Sequence, residues 1–310
     1  MQNLNISVII CCHNSSPRLS AALAHLARQI LPNDIVWEIV VVDNASTDDT
    51  ATIAKTAWAE FGSPVELRLI HVQQIGLAEA RKAGIMGTSG QIIIFCDDDN
   101  WLKEDYLSIV YSIFDRNMRV GAIGGQSNAA FELGTAPPNW FSINAEKYAI
   151  GKQSLQTGNV TSRGFVWGAG IAIRAEPLRQ ILRSGVRYLL SGRKGHQILS
   201  GEDSEMCAWL IIAGYELYYD ERLIFAHFIP ENRLTISYLN GLNKGFQASD
   251  KVLSAYRAFI NLTILSAHKG ARTTKYFVSI AKNCAKIFIQ GTKVARNINL
   301  IRKVFSKPSK

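Results

Sequence analysis

No stretch of the sequence reaches the roughly 18 uninterrupted apolar residues that a membrane-spanning helix needs. The first apolar run, Ile6 to Cys12, is short and follows no basic leader, so we expect no secretory signal peptide. The five cysteines form no CxxC pair and lie mostly inside apolar runs, which predicts buried free thiols and argues against a zinc site. Together these absences predict a cytoplasmic protein.

Acidic side chains are missing from the last 60 residues. All 25 Asp and Glu residues and 21 of the 34 Lys and Arg residues precede Lys251, so the first 250 residues carry a formal charge of −4 and the remainder carries +13. A basic tail on a mildly acidic body predicts an anionic partner, either lipid or nucleic acid.

The tail also has a helical period. When Phe277 is taken as position a of a heptad, positions a and d are mostly apolar: Phe277, Ile280, Cys284, Ile287, Gly291, Val294, Ile298, Ile301 and Phe305. Positions c and f carry the cations Lys275, Lys282, Lys286, Lys293, Arg296, Lys303 and Lys307. Such a helix either lies in a membrane interface, as a peripheral attachment to the inner face of the cell membrane, or packs its stripe on the body. The aromatics fall largely with the apolar stripe, so we expect no nucleic acid partner.

In the first half, continuous apolar runs alternate with amphipathic helical patterns. The runs are Ile6 to Cys12, Trp37 to Val42, Val65 to Val72 and a fourth ending at Asp97. This alternation predicts parallel strands in a doubly wound sheet whose two faces are covered by helices. Ligands of such sheets bind beyond the carboxyl ends of the strands.

Polar clusters follow three of these runs. His13 and Asn14 follow the first, Asp43 and Asn44 the second, and the three consecutive carboxylates Asp97, Asp98 and Asp99 the fourth. Three adjacent like charges are unfavourable unless a cation or a hydrogen-bonded ligand neutralises them, which predicts a divalent metal site. The alternative is an acidic turn that caps a helix starting near Lys103.

Two other enzyme classes lack their signatures here. A dinucleotide-dependent oxidoreductase needs a GxGxxG turn after the first strand, where this chain has Cys12-His13-Asn14-Ser15-Ser16-Pro17. A nucleotidyltransferase that makes sugar nucleotides would need a Gly-rich, Arg-containing phosphate loop near the N-terminus, and none is present.

Five motifs in register resemble the family 2 glycosyltransferases, which have the GT-A fold. They are the segments 7–14, 38–49, 76–81, 94–99 and 201–203, and they occur in the family's order over about residues 5 to 235. The resemblance implies a GT-A type Rossmann-like mixed sheet flanked by helices, followed here by a C-terminal basic helical extension. We expect a catalytic domain over 1–250, with nucleotide-sugar binding in about 1–125 and the acceptor side in 126–250, and a tail over 251–310.

The resemblance also implies roles for the residues that would bind the donor. Asp97 and Asp99 match the DxD pair, with Asp99 as the more direct ligand of Mn²⁺ or Mg²⁺ and Asp97 or Asp98 nearer the ribose. Asp43 matches the carboxylate that reads the base, and its alternative role is that of a turn residue. Arg81 matches a basic residue near the nucleotide, although Arg81 could equally be a solvated helix residue. His13 and Asn14 are the remaining predicted donor-binding residues.

Asp203 matches the family's catalytic aspartate, a base that would take the proton of the acceptor hydroxyl. Glu202 is an alternative base, and an N-cap role for the pair is a third interpretation. His227 matches an imidazole that GT-A enzymes often give to the metal, but a lone His beside a strand is more often structural. By the resemblance Arg233 would face the donor phosphates, although it could equally be a surface residue.

The resemblance thus implies an inverting, metal-dependent, hexosyltransferase-like enzyme of polysaccharide synthesis. It would move a sugar from a nucleotide-sugar donor, with UDP the expected nucleotide, to a glycan or lipid-linked acceptor. The processive signature QxxRW is absent near Arg233, so we expect one sugar per encounter. We expect acceptor recognition from the segment Ala136 to Arg163, and Trp140 and Trp167 could stack on sugar rings or belong to the core. The alternative is an inactive scaffold or binding protein at the membrane surface.

Overall fold

A computed structural model describes residues 4–194, 198–263 and 293–306. Part of the predicted tail stripe lies outside the described residues, namely Phe277, Ile280, Cys284, Ile287 and Gly291, and so do the cations Lys275, Lys282, Lys286 and Lys307.

The first half alternates strands and helices as predicted. The strands are β1 (Ile6–Cys12), β2 (Trp37–Asp43), β3 (Leu67–His71) and β4 (Ile92–Phe95), and the helices between them are α1 (Leu19–Ala27), α2 (Thr50–Glu60) and α3 (Leu77–Gly87). β1, β2 and β4 are rich in Ile and Val and almost wholly buried, which suits strands covered on both faces.

The second half is less regular. Its strands are β5 (Asn100–Leu102), β6 (Val120–Ala130), β7 (Gly158–Asn159), β8 (Ala172–Arg174) and β9 (Glu216–Phe228). Its α-helices are α4 (Tyr106–Arg116), α5 (Phe141–Asn144), α6 (Ala175–Arg183), α7 (Glu202–Ile212), α8 (Ile236–Thr263) and α9, which covers residues 293–305. Single 3₁₀ turns lie at Ala145–Tyr148, Thr161–Arg163 and Glu231–Arg233.

These strands form one mixed sheet in the order β3-β2-β1-β4-β8-β6-β9-β5, with β7 paired to β9. β1 to β4 pair in parallel, as predicted, whereas β8 runs antiparallel to β4 and β6. The predicted mixed sheet flanked by helices is therefore confirmed. One alternative is wrong: the acidic run at residues 97–99 does not cap a helix near Lys103, because the next element is β5, which pairs with β9.

Two apolar cores cover the two faces of the sheet. Alternate residues of β1 enter different cores: Val8 and Ile10 pack on the face of α1 and α4, and Ile9 packs on the face of α3 and α7. Full burial of each such side chain stabilises the fold by about 1.5–3 kcal/mol. The parallel strands are thereby held in register, so their carboxyl ends meet at one edge.

The described end of the tail packs on the body. Val294, Ile298 and Ile301 of α9 are buried in the same core as α3 and α7, while Lys293 and Arg296 are exposed. Of the two interpretations of the stripe, packing on the body holds for this part of the chain. Helix α8 also runs through residue 250 without interruption, so the predicted division there stays a proposal about function. Among the helices of the described ranges, none is long and apolar enough to cross a membrane.

Candidate active site

Most of the predicted site residues surround one cavity of about 720 Å³ beyond the carboxyl ends of the parallel strands. The cavity is lined by His13, Arg81, Asp97, Asp98, Asp99, Asp203, His227 and Arg233, among others. These residues come from β1, α3, the turn after β4, the first turn of α7, β9 and the turn after it. The sheet topology therefore brings distant parts of the sequence to a single cleft.

Two predicted donor-binding residues lie beside this cavity and outside its lining. Asp43 is buried at the end of β2, where its Oδ1 accepts a bond from the Ser46 backbone N–H at 3.1 Å and its Oδ2 lies 3.2 Å from His71 Nδ1. Asn14 is exposed, and its Oδ1 accepts a bond from the Thr47 N–H at 2.8 Å. Their predicted roles toward a nucleotide stay predictions.

Asn44, which the sequence predicts as a polar group at the end of the second strand, makes structural hydrogen bonds here. Its Oδ1 accepts the N–H of Gly76 at 2.7 Å, and its Nδ2 donates to the Gln74 carbonyl at 2.7 Å. Its own carbonyl lies 2.8 Å from Nδ1 of His13. Asn44 thus joins the ends of β1 and β2 to the start of α3 at the rim of the cavity.

One side of the cavity floor, which we call the Asp99 corner, comprises Asp98, Asp99, Arg18, His227 and Arg233. Asp99 Oδ2 lies 2.6 Å from Arg233 Nη1, Asp99 Oδ1 lies 3.4 Å from His227 Nε2, and Asp98 Oδ2 lies 2.6 Å from Arg18 Nη2. Burial alone would raise the pKa of Asp99, but the charges of His227 and Arg233 outweigh it and hold that pKa well below its usual range. The carboxylate of Asp99 is therefore firmly ionised.

His227 reaches Asp99 because its strand pairs with the strand that follows the acidic run. In the antiparallel β5–β9 pair, Asn100 lies opposite His227. The Nδ1 atom of His227 is buried and has no hydrogen-bond partner among the described residues.

The opposite side, which we call the Arg81 corner, comprises Arg81, Asp97, Glu202 and Asp203. Arg81 is 2% exposed, its Nη1 lies 3.2 Å from Glu202 Oε1, and its guanidinium lies 5.0 Å from the centroid of the Phe95 ring. The interpretation of Arg81 as a solvated helix residue is therefore wrong. Burial raises the pKa of Asp97 to about 6 and that of Glu202 to about 7, in spite of the nearby arginine.

Asp203 is held in place by backbone N–H groups. Its Oδ2 accepts the N–H of Gly168 at 2.7 Å, and its Oδ1 accepts that of Ser204 at 2.7 Å. A Cβ atom at position 168 would lie 2.7 Å from Arg81 Nη2 and 3.0 Å from Asp203 Oδ2, so a side chain there would force Arg81 or Asp203 to shift. The N-cap of α7 is Gly201 with no side-chain bond, so the N-cap interpretation of Glu202 and Asp203 is wrong.

The acidic residues suit a divalent metal that is bound partly by the protein and partly by a phosphate-containing ligand. Within the described ranges no group of three or more His, Cys, Asp and Glu side chains is placed to bind a metal ion by itself. Magnesium in phosphate-binding sites commonly takes only one or two carboxylates, with phosphate and water oxygens completing the shell. Asp97 and Asp99 could supply those one or two carboxylate ligands, whereas the described residues offer no complete set of metal ligands by themselves.

Of the aromatic residues on the predicted acceptor side, some line the cavity and Trp140 does not. Trp167 and Phe165 line the cavity, and the guanidinium of Arg163 lies 4.6 Å from the centroid of the Phe165 ring. Trp140 is outside the lining and contacts Phe141, with ring centroids 6.4 Å apart.

Comparison with known proteins identifies the family. A family model described as glycosyl transferase family 2 matches residues 7–182, more than half of the chain. The chain belongs to glycosyl transferase family 2. The matched range includes the acidic run and Arg81 but ends before Asp203.

Curated relatives agree with this assignment. Glycosyltransferase GlyA of Streptococcus pneumoniae is 34% identical over 237 residues, which are 74% of this chain and 31% of that protein. The succinoglycan biosynthesis protein ExoM of Rhizobium meliloti is 22% identical over 278 residues, 87% of this chain and 83% of that protein. The chain therefore spans about a third of the length of the pneumococcal relative.

Solved glycosyltransferases share the fold. Staphylococcus aureus TarS in complex with UDP aligns with a TM-score of 0.56 and 14% identity, covering 98% of this chain and 90% of that one. A mannosyltransferase from Pyrobaculum calidifontis in complex with GDP-Man and Mn²⁺ aligns with a TM-score of 0.52 and 16% identity, covering 99% of this chain and 76% of that one. These likenesses show the GT-A fold.

Proposed function

We propose that this protein is an inverting, metal-dependent glycosyltransferase that uses a nucleotide-sugar donor. The observation that carries the proposal is the meeting of Asp97, Asp99 and Asp203 at one cavity, although Asp203 lies more than 100 positions further along the chain. Asp97 and Asp99 would hold Mn²⁺ or Mg²⁺, and His227 lies beside Asp99 as a third candidate ligand. A bound divalent metal would act as a Lewis acid toward the diphosphate leaving group.

Asp203 is the proposed general base. Two backbone N–H groups orient its carboxylate, which leaves further lone pairs of the oxygens to accept the proton of an acceptor hydroxyl. Glu202 is less suited to this task, because it is 5% exposed and paired with Arg81. A single base that assists direct displacement gives inversion at the anomeric carbon.

The cations of the floor would serve the donor. Arg18, Arg81 and Arg233 line the cavity near the acidic run, and the pKa of Arg233 is raised because Asp99 outweighs its burial. Fixed guanidinium groups stabilise phosphate charge without reorganising during reaction. Asp43, His13 and Asn14 remain the proposed contacts of the base and ribose.

UDP is the first nucleotide to test. The structural neighbour TarS is recorded in complex with UDP and with UDP-GlcNAc, and a curated TarS is a poly(ribitol-phosphate) beta-N-acetylglucosaminyltransferase. Together with ExoM, a succinoglycan biosynthesis protein, these relatives support a glycan or lipid-linked acceptor in polysaccharide synthesis. The acceptor would enter beside Phe165 and Trp167.

The first experiment titrates the protein with UDP, GDP and dTDP, with and without manganese, by calorimetry. We expect metal-dependent binding of one nucleotide, and the absence of binding by all three would contradict the proposed site. The Asp203→Asn variant should lose transfer by about 10²–10⁴-fold while keeping donor binding. Asp115→Asn, an exposed carboxylate of α4, is the matched control and should transfer like the unmodified protein.

The inactive-scaffold alternative gives a different result. A scaffold would bind the nucleotide but transfer no sugar from any donor to water or to a glycan. Turnover by the unmodified protein that Asp203→Asn abolishes excludes this alternative.

We further propose a peripheral location at an anionic membrane face through the basic tail. The described cations Lys293, Arg296 and Lys303 point to solvent, and each could contribute about 1 kcal/mol near an anionic leaflet. Changing all three to Glu should weaken binding to vesicles containing phosphatidylserine but not to phosphatidylcholine vesicles. Unchanged partitioning would rule out this part of the tail as the attachment.

A further inference from the structure

A buried amide joins the C-terminal helix to the rest of the protein. Asn297 of α9 is 3% exposed. Its Nδ2 donates to the hydroxyl oxygen of Tyr256 at 2.9 Å and to the carbonyl of Arg187 at 2.8 Å, and its Oδ1 accepts the Arg187 N–H at 3.3 Å. Burying an amide without hydrogen-bond partners costs free energy. These hydrogen bonds therefore position α9 in addition to its apolar packing.

The hydroxyl of Tyr256 links Asn297 to Glu205. Its hydroxyl accepts bonds from Asn297 and from the indole N–H of Trp209 at 3.1 Å, and it donates to Oε1 of Glu205 at 3.0 Å. A phenol has one donor and two acceptor positions, and all three are used here. The geometry of this junction is therefore specified from three directions.

Glu205 links Tyr256 to α7, the helix that carries the proposed base Asp203. It is fully buried on α7, three residues after Glu202 and two after Asp203. Its Oε2 accepts the backbone N–H groups of Leu189 at 2.9 Å and Leu190 at 3.0 Å. One carboxylate thus binds the first turns of α7 to the segment 187–193.

The segment 187–193 in turn contacts the Arg81 corner. The carbonyls of Ser191 and Arg193 accept the N–H groups of Ala78 and Leu77 at 3.0 Å each, at the start of the helix that carries Arg81. Gly192 lies so close to Glu202 that a Cβ atom there would be 2.8 Å from Glu202 Oε2. A shift of this segment would therefore move both ends of the Arg81–Glu202 pair.

We propose that Asn297, Tyr256 and Glu205 are positioning residues through which the C-terminal helix holds the Arg81 corner, including Asp203, in its geometry for sugar transfer. This inference rests on the proposed function, in which Asp203 is the base. The end of the tail then belongs to the catalytic scaffold, whatever the rest of the tail does at a membrane.

The first test replaces Asn297 by Leu, which has similar size but makes no hydrogen bonds. We expect the turnover rate to fall tenfold or more. The dissociation constant for the nucleotide that binds best should change by a smaller factor, because Arg81 is one of three arginines that line the cavity near the acidic run. Asn299→Leu is the matched control, because Asn299 is exposed on the same helix. Its turnover should stay within twofold of the unmodified protein, and an equal loss in both variants would overturn the proposal.

The second test asks whether Asn297 and Tyr256 act through one connected set of hydrogen bonds or independently. Tyr256→Phe removes only the hydroxyl that links Asn297 to Glu205. If both residues act through that hydroxyl, the double variant should lose about as much turnover as the more affected single variant. Losses that multiply would show independent roles and overturn the proposal.

Active sites are counted by nucleotide-binding stoichiometry, so that partial unfolding is not mistaken for mispositioning. A fall in activity matched by a fall in stoichiometry would overturn the proposal. If Asn297→Leu does not fold, amide exchange in Tyr256→Phe decides: faster exchange over 187–193 and 202–205 supports the connection, and unchanged exchange refutes it. If the unmodified protein transfers no sugar, the proposed function itself fails, whereas active protein with insensitive variants refutes only this inference.

Discussion

The Asp99 corner and the Arg81 corner contain the same types of side chain in opposite electrostatic states. Asp99 is paired with Arg233 and His227, and its pKa lies well below the usual range. Across the floor, Asp97 and Glu202 share one arginine, and burial raises the pKa values of these carboxyls to about 6 and about 7. Neighbouring carboxyls of one acidic run are therefore not equivalent: Asp99 keeps its charge, whereas Asp97 can gain or lose a proton near neutral pH.

The largest change in stability is expected when the ion pair of the Asp99 corner is broken. Asp99→Asn leaves the cation of Arg233, whose side chain is 18% exposed, without its carboxylate, and arginine cannot lose its proton to escape the cost. We expect the free energy of unfolding to fall by about 3 kcal/mol, measured by urea denaturation at pH 7. Asp115→Asn, on the exposed face of α4, should be neutral. A loss of only a few tenths of a kcal/mol would mean that this pair is not a fixed part of the fold.

A smaller, pH-dependent effect is expected at the Arg81 corner. Arg81→Met removes the cation beside Glu202, but this carboxyl can stay protonated instead of being buried as an anion. The folded variant then keeps a proton above pH 7 that the unfolded chain releases near pH 4.5, so its stability continues to fall as pH rises. In the unmodified protein this fall ends near pH 7, where Glu202 ionises.

The free energy of unfolding of Arg81→Met should therefore fall further below that of the unmodified protein from pH 6 to pH 8. Above pH 7 this difference should grow by up to about 1.4 kcal/mol per pH unit. Urea unfolding at several pH values measures it. Lys82→Met, an exposed neighbour on α3, is the control and should show no such trend. A penalty independent of pH would show that Glu202 does not change its protonation state there.

The smallest effect is expected within the Asp99 corner itself. Asp98 pairs with Arg18, whose side chain is 25% exposed and can turn to water when the pair is broken. Burial and the charge of Asp99 raise the pKa of Asp98, so little is lost when its charge is removed. We expect Asp98→Asn to cost under about 1 kcal/mol in the same urea assay. A cost equal to that of Asp99→Asn would remove the distinction between these two adjacent residues.

Local pattern was sufficient to predict the parallel half of the fold. The apolar runs predict β1 at its observed bounds, and the observed bounds of β2 and β3 differ from prediction by two residues or fewer. The signal is strong there because each strand is one uninterrupted apolar run and each helix has one buried face. The position of the acidic run at a strand end follows from the same pattern.

The partners of the acidic residues could not be predicted in this way. Arg18 is 80 positions from Asp98, and Arg233 is 134 positions from Asp99. Arg18 lies directly before α1 and Arg233 lies in the turn after β9. Both ion pairs therefore depend on how separate elements pack together, which no local period encodes. The residues Asn100–Leu102 likewise form a strand only because β9 supplies hydrogen-bond partners, so a local interpretation as a helix start was wrong.

The missing side chain at Gly168 has a practical consequence for engineering. A single methyl group there would contact both Arg81 and Asp203 at 3.0 Å or less. Variants meant to alter the proposed donor or acceptor range should therefore leave this position untouched and vary the walls around Phe165 and Trp167 instead. Conversely, Gly168→Ala adds one carbon and keeps every charged side chain of the cavity floor, so it tests whether the proposed transfer needs this close approach.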